Sequence, residues 1–178
     1  MIEINDSEFF GTYNVNENTI GLNRDIKGTK RELFILAHEF GHLLMHQKLT
    51  IGQNMYDSFE DAPYNFRSGK HDLKNPKNWI EWQANYFASS LVLPKVIFLA
   101  KVRMYQYDAR MPQGKILLND ESEYIRNFNK IVAKLSFNFN VTKTSVIYKL
   151  IEMDLLNNQS RLKSIKQIIS DSSEDLII

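Results

Sequence analysis

Cysteine is absent from the 178-residue chain, which excludes disulfide scaffolds and every zinc module built on thiolates. Neither sign of charge dominates, because 22 Lys and Arg residues face 21 Asp and Glu residues, so bulk basicity gives no argument for nucleic-acid binding. Long apolar runs are missing too, since residues 86–100 are interrupted by serine, proline and lysine and fall short of the roughly 20 residues of a membrane helix. The first residues carry no signal-peptide pattern. We therefore expect a soluble, cytoplasmic protein that makes no use of a membrane.

What is present is typical of a folded chain. Hydrophobic residues make up 43% and aromatic residues 12%, which argues against intrinsic disorder. β-formers and turn residues at 8–23 predict a hairpin with its turn at 16–18, and residues 52–76 have no clear period and predict a long surface loop. Helical periodicity predicts six helices, at about residues 30–49, 76–91, 95–107, 120–136, 142–156 and 160–169. This order predicts an α+β fold, with a small N-terminal antiparallel sheet followed by helices.

Residues at the helix starts support these assignments. Thr29 and Glu32 have the spacing of a capping box at the start of the first helix. Asn75 precedes Pro76 as a candidate cap for the second helix, and Thr142 is expected to cap the fifth.

The sequence His38-Glu39-Phe40-Gly41-His42 is an H-E-x-x-H motif inside the first predicted helix. Two histidines at i and i+4 differ by about 40° around a helix and by about 6 Å along it, so both imidazoles can bind one metal ion. Glu39 lies beside such an ion rather than on it, which suits a general base. Gly41 removes a side chain where a second helix or a substrate approaches. The alternative is that these are surface residues that match the motif by accident.

A metal site of this kind needs a third ligand, and two candidates can be set aside. The extended motif with a later glycine and histidine would need those residues at positions that Met45 and Lys48 occupy, so that class of zinc site is excluded. His46 lies one further turn along the helix and cannot reach the same ion without unwinding. We expect His46 to contact one of the metal-binding side chains without binding the ion itself, or to belong to the core or a groove.

The remaining candidate is Glu81, in the second predicted helix. It shares a helix face with Ala84, Asn85 and Ala88, and the small alanines let this helix pack closely on the first. Asn85 could hydrogen-bond to an imidazole ligand and fix its orientation. The alternative is a solvated glutamate beside an ordinary alanine-lined packing seam.

Two blocks of the sequence resemble the ImmA/IrrE family of zinc metallopeptidases. The blocks are F-I-L-A-H-E-F-G-H-L-L-M-H at 34–46 and E-W-Q-A-N-Y-F-A-S-S-L-V-L-P at 81–94. They match in order and spacing, except for Val92, where the family usually has leucine. The specific resemblance covers roughly residues 9–94 and weakens after that.

The resemblance implies a zincin-like metallopeptidase domain at 1–107, with a C-terminal helical region at 108–178 packed on it. It implies His38, His42 and Glu81 as the ligands of one Zn²⁺ ion and Glu39 as the catalytic glutamate. It also implies an endopeptidase that cleaves a helix-turn-helix repressor of a mobile element or stress regulon. At the position of Asn85 some members have aspartate, and a neutral amide raises the basicity of a histidine less than a carboxylate does.

The sequence leaves other questions open. Candidates for stabilising the oxyanion are the polar donors Tyr13, Tyr56, Tyr64 and His71, each of which can also be structural. A rival function is a zinc-stabilised regulatory protein that acts on a transcription factor by contact, without proteolysis.

Residues 130–156 resemble a segment of the family that looks like a helix-turn-helix. DNA contact through residues 141–156 is a weak third hypothesis, since the region is mildly basic through Lys143, Lys149, Arg161, Lys163 and Lys166. A helical hairpin that covers the core is the interpretation we favour for this segment.

Overall fold

The computed structural model describes residues 2–4, 10–14, 17–46, 64–65, 70–71, 76–161 and 167–168. The chain forms two compact units, Met1–Val92 and Leu93–Ile178, and the fold class is α+β as expected. The functional boundary at residue 107 stays a prediction. Across the described ranges, no helix combines the length and the apolar character that crossing a bilayer requires.

The first unit begins with a three-stranded sheet. Its strands are β1 (Ile2–Ile4), β2 (Gly11–Asn14) and β3 (Thr19–Asn23), in the order β1-β3-β2. Strands β2 and β3 are antiparallel, which confirms the predicted hairpin, and β1 adds to β3 in parallel, which the sequence did not indicate. In the turn, Asn18 adopts a left-handed conformation with φ of 53°, which asparagine tolerates better than most residues.

Helix α1 (Glu32–Met45) follows a short 3-10 turn at Arg24–Ile26. The predicted capping box is wrong in detail, because the Glu32 carboxylate accepts a hydrogen bond from the Gly28 amide at 2.7 Å, one residue before Thr29. The Thr29 hydroxyl instead accepts from the amide of Arg31 at 3.2 Å. Strands β2 and β3 pack on α1, and the buried residues of this layer include Leu22, Ile26 and Ile35.

Helix α2 (Pro76–Val92) starts at the proline, as predicted, and packs against α1. The proposed cap Asn75 lies outside the described residues. Part of the predicted loop is a short antiparallel pair, β4 (Tyr64–Asn65) and β5 (Lys70–His71), and the rest of 52–75 is also outside the described part.

Between Leu93 and Arg161, the continuously described part of the second unit contains three helices and a pair of short strands. These are α3 (Lys95–Asp108), β6 (Ile116–Leu118), α4 (Ser122–Phe139), α5 (Lys143–Glu152) and β7 (Leu156–Asn158). Strands β6 and β7 are parallel, and neither was predicted. The core residues of this unit are Phe98, Val102, Ile116, Leu118, Phe128, Ile131, Val132, Leu135, Val141, Val146, Ile147 and Leu150.

Helices α4 and α5 form the predicted helical hairpin. Asn140 ends α4 in a left-handed conformation, and the Thr142 side chain caps α5 by accepting from the Ser145 amide at 3.1 Å, as expected. The predicted end of this helix at Leu156 is wrong. The helix ends at Glu152 because the following residues turn back, with Asp154 at φ of 55°, to form β7.

Of the last predicted helix, at 160–169, only part is described. Gln167 and Ile168 are helical, residues 160 and 161 are not, and residues 162–166 and 169 lie outside the described ranges.

Candidate metal centre

Three buried side chains from two helices converge on one point. The Nε2 atoms of His38 and His42, both on α1, are 3.0 Å apart. The Oε2 atom of Glu81, on α2, lies 3.3 Å from the first nitrogen and 3.6 Å from the second. The structure thus brings together the two histidines of the motif and the glutamate predicted to complete them.

The size and chemistry of this triangle fit a metal ion. Tetrahedral zinc with bond lengths of 2.0–2.1 Å holds neighbouring ligand atoms about 3.3 Å apart, which lies inside the range of the three measured separations. The Oδ1 atom of Asn85 lies 2.9 Å from Nδ1 of His38 and can only accept, so a neutral His38 carries its proton on Nδ1 and presents a bare electron pair at Nε2. Two imidazoles and one carboxylate are the donor set of hydrolytic zinc sites, in which a fourth position stays open for water or substrate.

Close contact between α1 and α2 makes this convergence possible. A Cβ atom on Gly41 would lie 3.3 Å from Cα of Ala84 and 3.1 Å from the ring of Phe87. Ala84 and Ala88 are fully buried in α2. Because Gly41 has no side chain and Ala84 only a methyl group, the two helix backbones come close here, and the Glu81 carboxylate reaches the histidines of the other helix. The packing role expected of Gly41 is therefore confirmed.

The charges of the triangle favour an ionised carboxylate. Burial alone would raise the pKa of Glu81, but the favourable interactions of its carboxylate with His38 and His42 outweigh burial and lower that pKa to about 2. Burial also lowers the pKa of His42, whereas for His38 the nearby carboxylates overcome burial and raise the pKa. A permanent negative charge thus faces the imidazole nitrogens, which suits a cation at the centre.

Glu39 is buried one residue beyond the first histidine, and its electrostatics differ from those of Glu81. Burial raises the pKa of Glu39 to about 7, which the charge of His38 opposes and that of Glu81 reinforces. A carboxylate with a pKa near neutrality has the proton affinity that a general base needs at physiological pH.

Strand β2 lies directly against Glu39. A Cβ atom on Gly11 would come within 3.1 Å of the Glu39 carboxylate and within 2.7 Å of Cγ2 of Ile35. Sequence reasoning missed Gly11, although a glycine inside a strand pattern is a known sign of close approach by another group. Any larger residue at this position would have to displace Glu39 or Ile35.

Two residues outside the triangle contact its histidines from behind. Asn85 accepts from His38, as the sequence suggested. His46 is buried and its Nδ1 lies 2.9 Å from Nδ1 of His42, while its Nε2 lies 2.9 Å from Oε1 of Gln83 on α2. This position agrees with the expectation that His46 contacts a metal-binding side chain without binding the ion itself. The contact of Gln83 was not predicted, because nothing in the sequence distinguishes this residue from a solvated one.

The candidate oxyanion donors are not assembled by the described residues. The Tyr13 hydroxyl donates to Oδ1 of Asn18 at 3.3 Å, within its own hairpin. Tyr64 and His71 are opposite each other in the β4–β5 pair, where their side chains are outside the described part, as is Tyr56 altogether.

Lys149, one of the cations behind the DNA-contact hypothesis, is not available to a phosphate. The Lys149 side chain is buried, and its ammonium donates to both carboxylate oxygens of Glu152 at 2.9 and 3.0 Å. Lys143 lies at the start of α5 and is partly buried.

Comparison with known proteins identifies the family. The family model Peptidase_M78, described as the IrrE N-terminal-like domain, matches residues 3–150. The matched region contains the motif histidines, Glu39 and Glu81, and it continues into the second unit as far as α5. A search of the curated proteins finds no match. With its His-His-Glu group and a family match over most of its length, the chain belongs to the Peptidase_M78 family of metallopeptidases.

Proposed function

We propose that this protein is a zinc-dependent endopeptidase, with His38, His42 and Glu81 as the metal ligands and Glu39 as the catalytic base. The observation that carries the proposal is the buried triangle of two nitrogens and one oxygen with a second, differently tuned carboxyl group next to it. Family membership supports the same reaction class. A group of metal ligands alone would fit a structural metal site equally well, so Glu39 is the residue that favours a catalytic one.

Each of the two carboxylates has its own task. Glu81 stays ionised and neutralises part of the charge of a divalent ion. A bound Zn²⁺ ion supplies Lewis acidity, polarising the scissile carbonyl and making water acidic enough to lose a proton near neutral pH. Glu39 takes that proton as the water attacks the carbonyl carbon, and it then delivers the proton to the nitrogen of the leaving amine. Burial of Glu39 keeps bulk water from competing for the proton.

The N-terminal sheet offers a way to hold the substrate. Strand β2 is at the end of the order β1-β3-β2 and contacts Glu39 through Gly11. An extended peptide could add to this edge by main-chain hydrogen bonds, which would carry its backbone past the catalytic carboxyl group. This mode of binding explains why a peptide bond, rather than a small ester, is the expected substrate.

The resemblance to the ImmA/IrrE family supports a more specific substrate. We propose that the enzyme makes a site-specific cut in a helix-turn-helix repressor of a mobile element or stress regulon. It would therefore act in the cytoplasm, where such repressors are found.

The test is co-expression of the protein with a candidate repressor, with cleavage followed on immunoblots and zinc content measured on the purified protein. Glu39→Gln keeps the volume of the side chain and removes the base, so it should retain zinc and abolish cleavage. His38→Ala should lose both. Glu32→Gln, the same substitution two turns earlier on α1, is the matched control and should cleave at the wild-type rate.

Two outcomes would contradict the proposal. Cleavage by Glu39→Gln at the wild-type rate would remove Glu39 from the reaction. Relief of repression by Glu39→Gln as strong as by wild type, with the repressor intact in both, would favour the zinc-stabilised regulator that acts by contact.

A further inference from the structure

The two histidines of the motif are held by different groups. His38 is held by the amide oxygen of Asn85. His42 is held by a second imidazole, that of His46, which is held in turn by Gln83. Both distances in this second chain are 2.9 Å, which is the normal length of a hydrogen bond between these atom types.

A neutral imidazole has one protonated and one bare nitrogen, so the direction of each hydrogen bond in this chain fixes the next. The Gln83 oxygen can only accept, so Nε2 of His46 carries the proton and Nδ1 of His46 is bare. A bare Nδ1 must receive its hydrogen bond from Nδ1 of His42. His42 then has no proton left for Nε2, which is the atom that faces Glu81 and His38.

Reversing the hydrogen bond between His46 and Gln83 would move the proton of His42 to its other nitrogen. If a donor stood at the place of the Gln83 oxygen, Nε2 of His46 would accept and its Nδ1 would carry the proton. His42 would then accept at Nδ1 and carry its own proton on Nε2. A protonated Nε2 cannot bind a metal ion. The direction of the hydrogen bond between His46 and Gln83 therefore decides whether His42 can be a ligand.

We propose that His46, anchored by Gln83, is a positioning residue that holds His42 in the one tautomer able to bind the metal. This inference rests on the proposed metal site and adds to it a pair of residues with a defined task. Helix α2 then contributes two side chains to this histidine face of α1: Glu81 completes the proposed metal site, and Gln83 sets the position of the proton on His46. Contacts of this outer kind change metal affinity by about 10- to 100-fold when they are removed.

The direct test is the tautomer of His42 in the metal-free protein, read from long-range proton–nitrogen correlations of the imidazoles at a pH where they are neutral. Wild-type His42 should carry its proton on Nδ1. In His46→Phe, which keeps a ring but has no acceptor, His42 should lose that preference. His46→Gln offers an amide oxygen to His42 and should restore it.

Zinc affinity, measured by competition with a chromogenic chelator, is the second readout. His46→Phe should bind zinc about 10- to 100-fold more weakly than wild type, and His46→Gln should recover most of the loss. Circular dichroism identifies any variant that fails to fold, since His46 is buried.

The exposed Gln83 provides a matched pair of variants that leave the core untouched. Gln83→Glu is an acceptor only and should keep both the tautomer and the affinity. Gln83→Lys is a donor only and should move the His42 proton to Nε2 and weaken zinc binding. Ser90→Glu and Ser90→Lys put the same charges at another exposed position of α2 and serve as controls for simple electrostatics.

The results separate this inference from the proposed function. If His42 of the wild type carries its proton on Nε2, or if His46→Phe and Gln83→Lys leave both tautomer and affinity unchanged, the positioning role is refuted while the metal site stands. If Glu81→Ala binds zinc as tightly as wild type, the proposed metal site is refuted, and the tautomer measurement in the metal-free protein still tests His46.

Discussion

Replacing Glu39 with glutamine should make the metal-free protein more stable at alkaline pH. In the folded protein burial raises the pKa of Glu39 from its ordinary 4.5 to about 7. Between these two values the folded state holds a proton that the unfolded chain has lost, so the stability of the wild type falls as pH rises through this window. A gap of about 2.5 pH units, at about 1.4 kcal/mol each, gives a loss of about 3–4 kcal/mol. Glutamine does not titrate and avoids this loss.

The assay is urea unfolding of both proteins after removal of metal by a chelator, at intervals from about pH 5 to about pH 8.5. At the acidic end the two free energies of unfolding should be close, since protonated Glu39 and glutamine are similar in size and charge. At the alkaline end the variant should be more stable by about 3–4 kcal/mol. Parallel pH profiles for the two proteins would refute the reasoning, because they would mean that Glu39 is ionised in the folded protein at no greater cost than in water.

Three further predictions concern the surroundings of the site. Gly11→Ala should reduce peptidase activity while zinc content stays at the wild-type level, because the added methyl group would crowd Ile35 at 2.7 Å and the Glu39 carboxylate at 3.1 Å but touches no proposed ligand; equal activity would show that the strand or Ile35 moves aside without shifting Glu39. Gly41→Ala gains about 1 kcal/mol of helix propensity but should lose about 1–3 kcal/mol to contact with the α2 backbone, so thermal unfolding should report a net loss. Asn85→Leu removes the acceptor for His38 and should weaken zinc binding by about 10- to 100-fold in a chelator competition, whereas unchanged affinity would mean that packing alone orients the imidazole.

The meeting of the three candidate metal ligands could be predicted because helical spacing and residue chemistry point to the same side chains. Two histidines at i and i+4 in a helical pattern lie on the same face of the helix. Glu81 is followed by Ala84 and Ala88, and such small side chains indicate close packing against a second helix. The hairpin and the five described helices follow from patterns of the same kind. The boundaries at Glu32 and Glu152 were missed because they depend on which polar group captures a free amide and on a strand formed later in the chain.

The rest of the site could not be predicted, for physical reasons that differ from residue to residue. Gly11 matters through an absent side chain, and its neighbour Glu39 is distant in sequence. Gln83 is exposed and acts through one oxygen atom, so neither burial nor periodicity marks it. Strands β1, β6 and β7 have three residues each, which is too short for an alternating pattern to be read.

Five consecutive positions of α2 carry an unusual share of the molecule's function. Glu81 faces His38 and His42, Asn85 contacts the other side of His38, and Gln83 contacts His46. All three contacts depend on one stretch of helix little more than a turn long. Deleting a single residue inside this stretch would rotate everything after it by about 100° and shift it by about 1.5 Å along the axis. Homologous chains should therefore vary freely in length ahead of Pro76, whereas a chain with a gap between Glu81 and Asn85 should lack the candidate metal site.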